Sequence, residues 1–323
     1  MGDLIKEISI KEMEGMSVGH AQDDEAGTGV SVIYFPGGAL AGCDISGGGP
    51  ASRETPLTSP LTADNPINAV VLSGGSAFGL AAGAGVVRCL EENGAGYDTG
   101  YATVPLVCQS CIYDLGFGSA DVRPDEAMGY AACRNAMDRC DDSIGNVGAG
   151  TGATVGKLCG MEQADKSGLG VHAVQAGELR IAAVVAVNAF GDIYEDGRKI
   201  AGLLDPESGE FLDFMQLFTE KMCAAETGGT KDLFNTNTTI GCIVTNAAFD
   251  KAKLNKIASM TRSAYARCID PVGTMADGDS IYACSVGDVD ADINLVGTLS
   301  AHVMEKAVIK AVKAAKAEQG RIK

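Results

Sequence analysis

Asn235-Thr236-Asn237-Thr238-Thr239-Ile240 is the stretch on which the reading of this chain turns. A polar, turn-rich segment, Asp205 to Thr236, with an exposed loop expected at Glu226-Thr227-Gly228-Gly229-Thr230, runs into a pair of hydroxyl residues and then an apolar strand from Thr239 to Thr245. Cleavage of the peptide bond before Thr238 would leave a threonine with a free amine and a hydroxyl at the rigid start of a strand. Such a nucleophile carries its own base, because the freed α-amine accepts the hydroxyl proton. Taken alone, Asn-Thr-Thr is also a common way to open a strand.

The other sources of chemistry are thin. There are three histidines: His20 in a glycine-flanked turn, His172 in a strand and His302 in the final helix, none with a ligand-spaced partner. Cys108-Gln-Ser-Cys111 has redox or zinc spacing, but no second pair completes a four-ligand site. Gly148-Ala149-Gly150-Thr151-Gly152-Ala153 fits a loose dinucleotide pattern without the strand that must precede it. Gly156-Lys157 is similar to the end of a phosphate loop, yet Thr151 replaces its first glycine and Leu158 its hydroxyl residue.

Composition narrows the class. The 323 residues carry 25 Lys+Arg against 42 Asp+Glu, a net charge of −17 that disfavours nucleic acid and anionic membrane surfaces. The longest dense apolar stretch, Ile181 to Phe190, is about half of the ~20 residues a spanning helix needs. The start, MGDLIKEISI, lacks the apolar run of a signal peptide, so the chain reads as soluble and cytoplasmic. Eleven cysteines, seven of them among small apolar residues (Cys223 included), read as reduced thiols. Glycine is the anomaly: 43 residues, well above the usual ~7%, clustered at Gly47–Gly49, Gly74-Gly75 and Gly145–Gly156. Clustered glycine marks tight turns or backbone that another group must approach closely.

Strands are expected at Val30–Phe35, Ala69–Leu72, Thr239–Thr245 and Ser280–Ser285, and a hairpin at Gly168–Gln175 and Leu179–Asn188 around Ala176-Gly177-Glu178. Helices are expected up to Leu90, over Pro124–Asp138, from Asp250 to Cys268 and over the last segment, whose Lys306, Lys310, Lys313 and Lys316 read as a solvated face. This is mixed α/β without strict alternation or repeats, and a single layered domain spanning 1–323 is expected.

Motifs in fixed order complete the reading: VGH at Val18–His20, TGVSV at Thr28–Val32, GGGPASRET at Gly47–Thr55, LSGGSAFGL at Leu72–Leu80, VGAGTGATVGK at Val147–Lys157, VNAFGD at Val187–Asp192, NTTIGCIVTNA at Asn237–Ala247 and DGDSIYA at Asp277–Ala283. Over nearly its whole length the chain resembles the L-aminopeptidase/D-esterase and β-peptidyl aminopeptidase family of self-processing N-terminal-nucleophile hydrolases. The resemblance implies an αββα sandwich, two central sheets between helix layers, and a homo-oligomer, commonly a tetramer, with no metal or organic cofactor. It implies cleavage of the Asn237–Thr238 bond into 1–237 and 238–323, with Thr238 as nucleophile toward small peptide, amide or ester substrates. Asn188 falls at the family's oxyanion-stabilising asparagine. Asp277 and Asp279 fall where other members have a Ser-x-Glu that bonds the nucleophile. The SGGSAFG segment implies backbone near the cleft, with Gly75, Ser76 and Phe78 as substrate contacts. Gln109 occupies the place of a glutamate that holds the substrate's ammonium, and Asp114 is the nearby substitute. Gly273 stands where many relatives have histidine. Two alternatives share the resemblance: an acyltransferase of the ornithine acetyltransferase type, whose Lys-Gly-x-Gly-Met segment is absent, and an unprocessed, non-catalytic relative.

Overall fold

The computed structural model describes residues 4–224 and 237–322, so the loop expected at 226–230 lies outside the described residues. The main strands are β1 (Lys6–Ile8), β2 (Ser17–Asp23), β3 (Thr28–Ile45), β4 (Ala51–Arg53), β5 (Ile67–Ser73), β6 (Val107–Cys111), β7 (Leu169–Ala176), β8 (Leu179–Asn188), β9 (Thr238–Ala247) and β10 (Ser280–Val289). The helices are α1 (Ala82–Glu92), α2 (Glu126–Asp138), α3 (Phe214–Ala224), α4 (Lys251–Thr261), α5 (Ser263–Cys268) and α6 (Ile293–Ile322). Asp125 and Asp250 start α2 and α4 by accepting the Met128 and Lys253 amides on their side chains, at 2.9 and 2.8 Å.

The strands run in the order β1-β7-β8-β9-β10-β3-β5-β6-β4, with β2 on the free side of β3. Only β9/β10 and β5/β6 are parallel among these pairs. This path makes two layers because β3 serves both. Its first half pairs with β2 and β5, and Leu40–Ile45 pairs with β10. The sequence reading ended this strand at Phe35, where Pro36-Gly37-Gly38 looks like a turn. The structure bends there instead: proline has no amide to donate, Gly38 takes φ +75°, and pairing with β5 slips between Tyr34 and Ala39.

Side-chain alternation accounts for the layers. On β8, Ala182, Val184 and Ala186 face the other sheet, while Ile181, Ala183, Val185 and Val187 face the helices. A strand buried on both faces needs an unbroken apolar run, which is what 181–187 supplies. The space between the sheets is filled by Ile33, Val70, Leu72, Val184, Ile240 and Tyr282. Helices α4, α5 and α6 cover the β8–β9–β10 layer through Ile257, Tyr265, Val303 and Val308. Helices α1 and α2 cover the other layer through Val86, Leu90 and Ala132.

Gly42 shows how tightly these layers are set. A Cβ there would lie 2.1 Å from the Asn255 amide of α4. Gly42→Ala must push helix from sheet and is expected to cost about 1–3 kcal/mol, read as a lowered denaturation midpoint in a urea melt.

Three local readings are corrected. His20 lies in strand β2, not in a turn; it is buried with Nδ1 2.9 Å from the Ser31 hydroxyl, and burial pushes it down to about 4. The lysines of α6 are not merely solvated, since Lys310, Lys313 and Lys316 pair with Glu7, Glu195 and Asp165. All eleven cysteines are free thiols, but of the seven that the surrounding apolar residues suggest are buried, only Cys89, Cys133, Cys242 and Cys284 are; Cys43 and Cys159 are half-buried and Cys223 is exposed.

Candidate active site

Register brings the site together. Asn188, the last residue of β8, lies opposite Thr238, the first of β9. One residue earlier, Asn237 forms a parallel bridge with Asp277, just ahead of β10. Three segments distant in the chain therefore end side by side at one edge of the same layer. Thr238 is only 4% exposed. Its hydroxyl donates to the carbonyl oxygen of Asn237, and that oxygen also accepts the Gly278 amide at 3.0 Å.

Two carboxylates hold the backbone around Thr238. Asp279 Oδ1 accepts the Thr239 amide at 2.6 Å, and Oδ2 accepts the Gly273 amide at 3.0 Å. Gly273 has φ +66°, the left-handed turn that presents its amide to Asp279. Asp277 Oδ2 accepts the Thr274 amide at 3.0 Å and hydroxyl at 2.7 Å, while Oδ1 takes the Phe190 amide at 3.3 Å. Burial, reinforced by the charge of Asp277, pushes Asp279 up to about 7; burial also raises Asp277. The Gly47–Gly49 cluster straps this turn. Ser46 and Gly49 donate to the carbonyls of Asp279 and Asp277 at 3.0 and 2.9 Å, and a Cβ on Gly47 would sit 2.3 Å from the Asp279 nitrogen.

Asn188 is fully buried and its amide is oriented. Oδ1 accepts the Thr154 amide at 3.1 Å, and Nδ2 donates to the Tyr113 carbonyl at 2.8 Å, which leaves one Nδ2 hydrogen for another acceptor. Lys166 supports the loop that delivers Thr154, donating to the Gly150 and Ala153 carbonyls at 3.2 and 3.0 Å. Lys157 Nζ donates to the Asn188 carbonyl at 3.0 Å. Burial pushes Lys157 down to about 7, against the opposing pull of Asp277, Asp114 and Asp279.

Beside Asn188 opens a cavity of about 290 Å³ lined by Tyr113, Asp114, Thr154, Lys157, Leu158 and Met161, among others. Asp114 accepts the Gly75 amide on Oδ1 at 2.6 Å and the Thr28 hydroxyl on Oδ2 at 2.7 Å. Burial raises it. Glycines give it room, since a Cβ on Gly74 would lie 2.0 Å from Asp114 Oδ2. A larger groove of about 690 Å³, between Glu7, His172 and Lys310, is lined by none of these residues.

Of the residues singled out in the sequence, Thr238, Asn237, Asn188, Asp277 and Asp279 converge, and Asp114 lines the adjoining cavity with Gly75 bonded to it. Gln109 does not line the cavity. It is fully buried with its amide nitrogen on the Ser73 hydroxyl and the Gly79 carbonyl, at 2.9 and 2.8 Å. Ser76 is half-buried, and Phe78 is 58% exposed under the Arg123 guanidinium at 3.9 Å; neither lines the cavity. Lys157 and Tyr113 were missed. Lys157 is a lone cation at the end of an uncharged, glycine-rich run, a pattern that does not itself say the lysine is buried.

This layered arrangement is that of the N-terminal-nucleophile hydrolase fold. L-aminopeptidase D-Ala-esterase/amidase from Ochrobactrum anthropi, described as a variant of that fold, superposes with a TM-score of 0.68 at 17% identity, over 95% of this chain and 86% of that one. The chain belongs to peptidase family S58, which matches residues 9–323. It is 32% identical to an uncharacterized aminopeptidase of Mycobacterium leprae, over 97% of this chain and 92% of that one. It is also 32% identical to a 6-aminohexanoate-oligomer endohydrolase of a Kocuria species, over 94% and 85% of the two chains. It is thus a hydrolase of the aminopeptidase and amidohydrolase type.

Proposed function

We propose that the chain cuts its own Asn237–Thr238 bond and then uses the new N-terminal Thr238 to hydrolyse small amine-bearing peptides, amides or esters. The observation that carries this reading is the contact between the Thr238 hydroxyl and the carbonyl oxygen of Asn237, at a strand start opposite Asn188. In turnover, Thr238 Oγ attacks the substrate carbonyl and its α-amine takes the hydroxyl proton. The free Nδ2 hydrogen of Asn188 meets the oxyanion, the leaving amine departs protonated, and water resolves the acyl-enzyme. Asp277 and Asp279 position the strand on which Thr238 sits, and Lys157 holds or releases a proton near neutrality.

Asp114, rather than Gln109, receives the substrate's ammonium. Asp114 lines the cavity, and a carboxylate that accepts the Gly75 amide and the Thr28 hydroxyl still has acceptor capacity for an ammonium. The name of the Kocuria relative extends the substrate class to short oligoamides with a terminal amine.

The decisive experiment is the intact mass of the purified protein under denaturing conditions. Two fragments that meet at Asn237 and Thr238 are expected; a lasting single chain would sink the reading. Weighed under native conditions, the same sample is expected to be a tetramer, and fractionation of the source cells should find it in the cytoplasm. Release of p-nitroaniline from an aminoacyl-p-nitroanilide panel, with and without an added amine, then separates hydrolysis from acyl transfer.

The charges predict a pH effect. The Lys157 ammonium lowers Asp277 and Asp279. Lys157→Met removes that attraction, so both acids ionise at higher pH and the acidic limb of the rate–pH profile moves upward. A limb that stays in place would show that ionisation of these two aspartates does not govern turnover.

A further inference from the structure

Self-cleavage requires a donor for the oxygen of the bond that breaks, and this donor need not be the one that serves the substrate. Building on the self-cleavage reading, we propose that the backbone N–H of Gly278 is the oxyanion donor for cleavage of the Asn237–Thr238 bond, while the Asn188 side chain serves the substrate. The Gly278 amide lies 3.0 Å from the Asn237 carbonyl oxygen. Among the described residues, the other hydrogen bond to that oxygen comes from the Thr238 hydroxyl, the group that must attack. The Asn188 amide is held by Thr154 and Tyr113 instead.

The Gly278 bond is also the rung that closes the parallel bridge between Asn237 and Asp277. That is an advantage for the chemistry. A rung already in place costs no reorganisation when its carbonyl oxygen takes on charge. The rung is held from three sides: Gly49 and Ser46 donate to the flanking carbonyls of Asp277 and Asp279, and both aspartate side chains are anchored to neighbouring amides. Residue 278 must also lack a side chain, because a Cβ there would lie 2.8 Å from Thr238 Oγ1 and 2.8 Å from the Gly49 carbonyl oxygen. The missing Cβ gives the hydroxyl room to swing from oxygen to carbonyl carbon.

The step is then an isomerisation followed by hydrolysis. Thr238 Oγ bonds to the Asn237 carbonyl carbon, and the C=O electron pair moves to the oxygen held by Gly278. Collapse breaks the C–N bond, and the hydroxyl proton ends on the Thr238 nitrogen, leaving an ester. Water splits that ester into the Asn237 carboxyl and the Thr238 hydroxyl.

The test deletes one backbone hydrogen. Glycolic acid introduced at position 278 by nonsense suppression turns the amide into an ester, keeping shape and losing the donor. The control places glycolic acid at Gly129, whose amide bonds the Asp125 carbonyl at 3.0 Å at the start of α2. Fragment appearance is followed by denaturing mass spectrometry. Cleavage at Asn237–Thr238 is expected to slow by about 10²-fold or more in the 278 ester and to be unchanged in the control. A 278 ester that cleaves within about threefold of wild type overturns the assignment while leaving self-cleavage intact; a wild-type chain that stays whole overturns both. A second measurement needs no ester. In the Thr238→Ala chain the Gly278 amide proton is expected to be strongly protected from exchange, and an unprotected proton rules out the bond.

Discussion

Thr238→Ala is expected to leave the chain in one piece and without measurable turnover. The variant removes the hydroxyl that contacts the Asn237 carbonyl, and with it the group proposed to attack both the chain's own peptide bond and the substrate. The fold should survive. Thr238 Oγ1 makes its hydrogen bond to the adjacent carbonyl, and the β9 ladder to β8 and β10 is backbone. The loss should therefore appear in the denaturing mass spectrum and the activity assay, with little change in melting temperature. Thr238→Ser keeps an oxygen at the same place and should still cut. Cleavage at the same bond in the alanine variant would place the nucleophile elsewhere.

The second large effect is expected at Asn188. Its Oδ1 is fixed by the Thr154 amide and one Nδ2 hydrogen by the Tyr113 carbonyl, so the amide cannot flip, and the residue lies opposite Thr238 in the ladder with one hydrogen to spare for the proposed oxyanion. A lone donor of this kind typically contributes 10²–10³ in rate, about 2.7–4 kcal/mol. Asn188→Asp keeps the acceptor for Thr154 but has no N–H, and it should lower kcat by that factor with KM nearly unchanged. Asn188→Ala should lower kcat equally. It should also lose about 1–3 kcal/mol of stability, because the Thr154 amide and the Tyr113 carbonyl are left buried without this partner. A split in which KM rises and kcat holds would assign Asn188 to ground-state binding instead.

The site was half legible in the sequence, and the division has a cause. Thr238 stands where a polar segment and two hydroxyls meet an apolar run, a pattern that also opens ordinary strands, so it was the set of motifs that singled it out as a candidate. Asn188 and the aspartates followed from their place in a set of motifs. The surroundings of Gln109 were not legible because strand position alone does not say where a side chain ends: β6 is buried on both sides, and its amide turns to Ser73 and Gly79. Lys157 was set aside with a failed phosphate motif because a buried lysine carries no sequence mark. Its burial becomes evident only when the Asn188 carbonyl and three carboxylates surround it.

By itself, the sequence determined the local elements and the chemistry on offer. The hairpin at 169–188 follows from two apolar runs around Gly177, and the strand after Asn237 and the long amphipathic α6 follow from periodicity. These are short-range effects, set by which faces a segment must bury. Tertiary structure alone decided that β3 passes from one sheet to the other through Pro36–Gly38. It also decided that the register of β8 against β9 sets Asn188 opposite Thr238, and that residues 277–279 close over Asn237. Register between strands about fifty residues apart depends on side chains interlocking across two packed layers, and that information is shared among segments rather than written in any one of them.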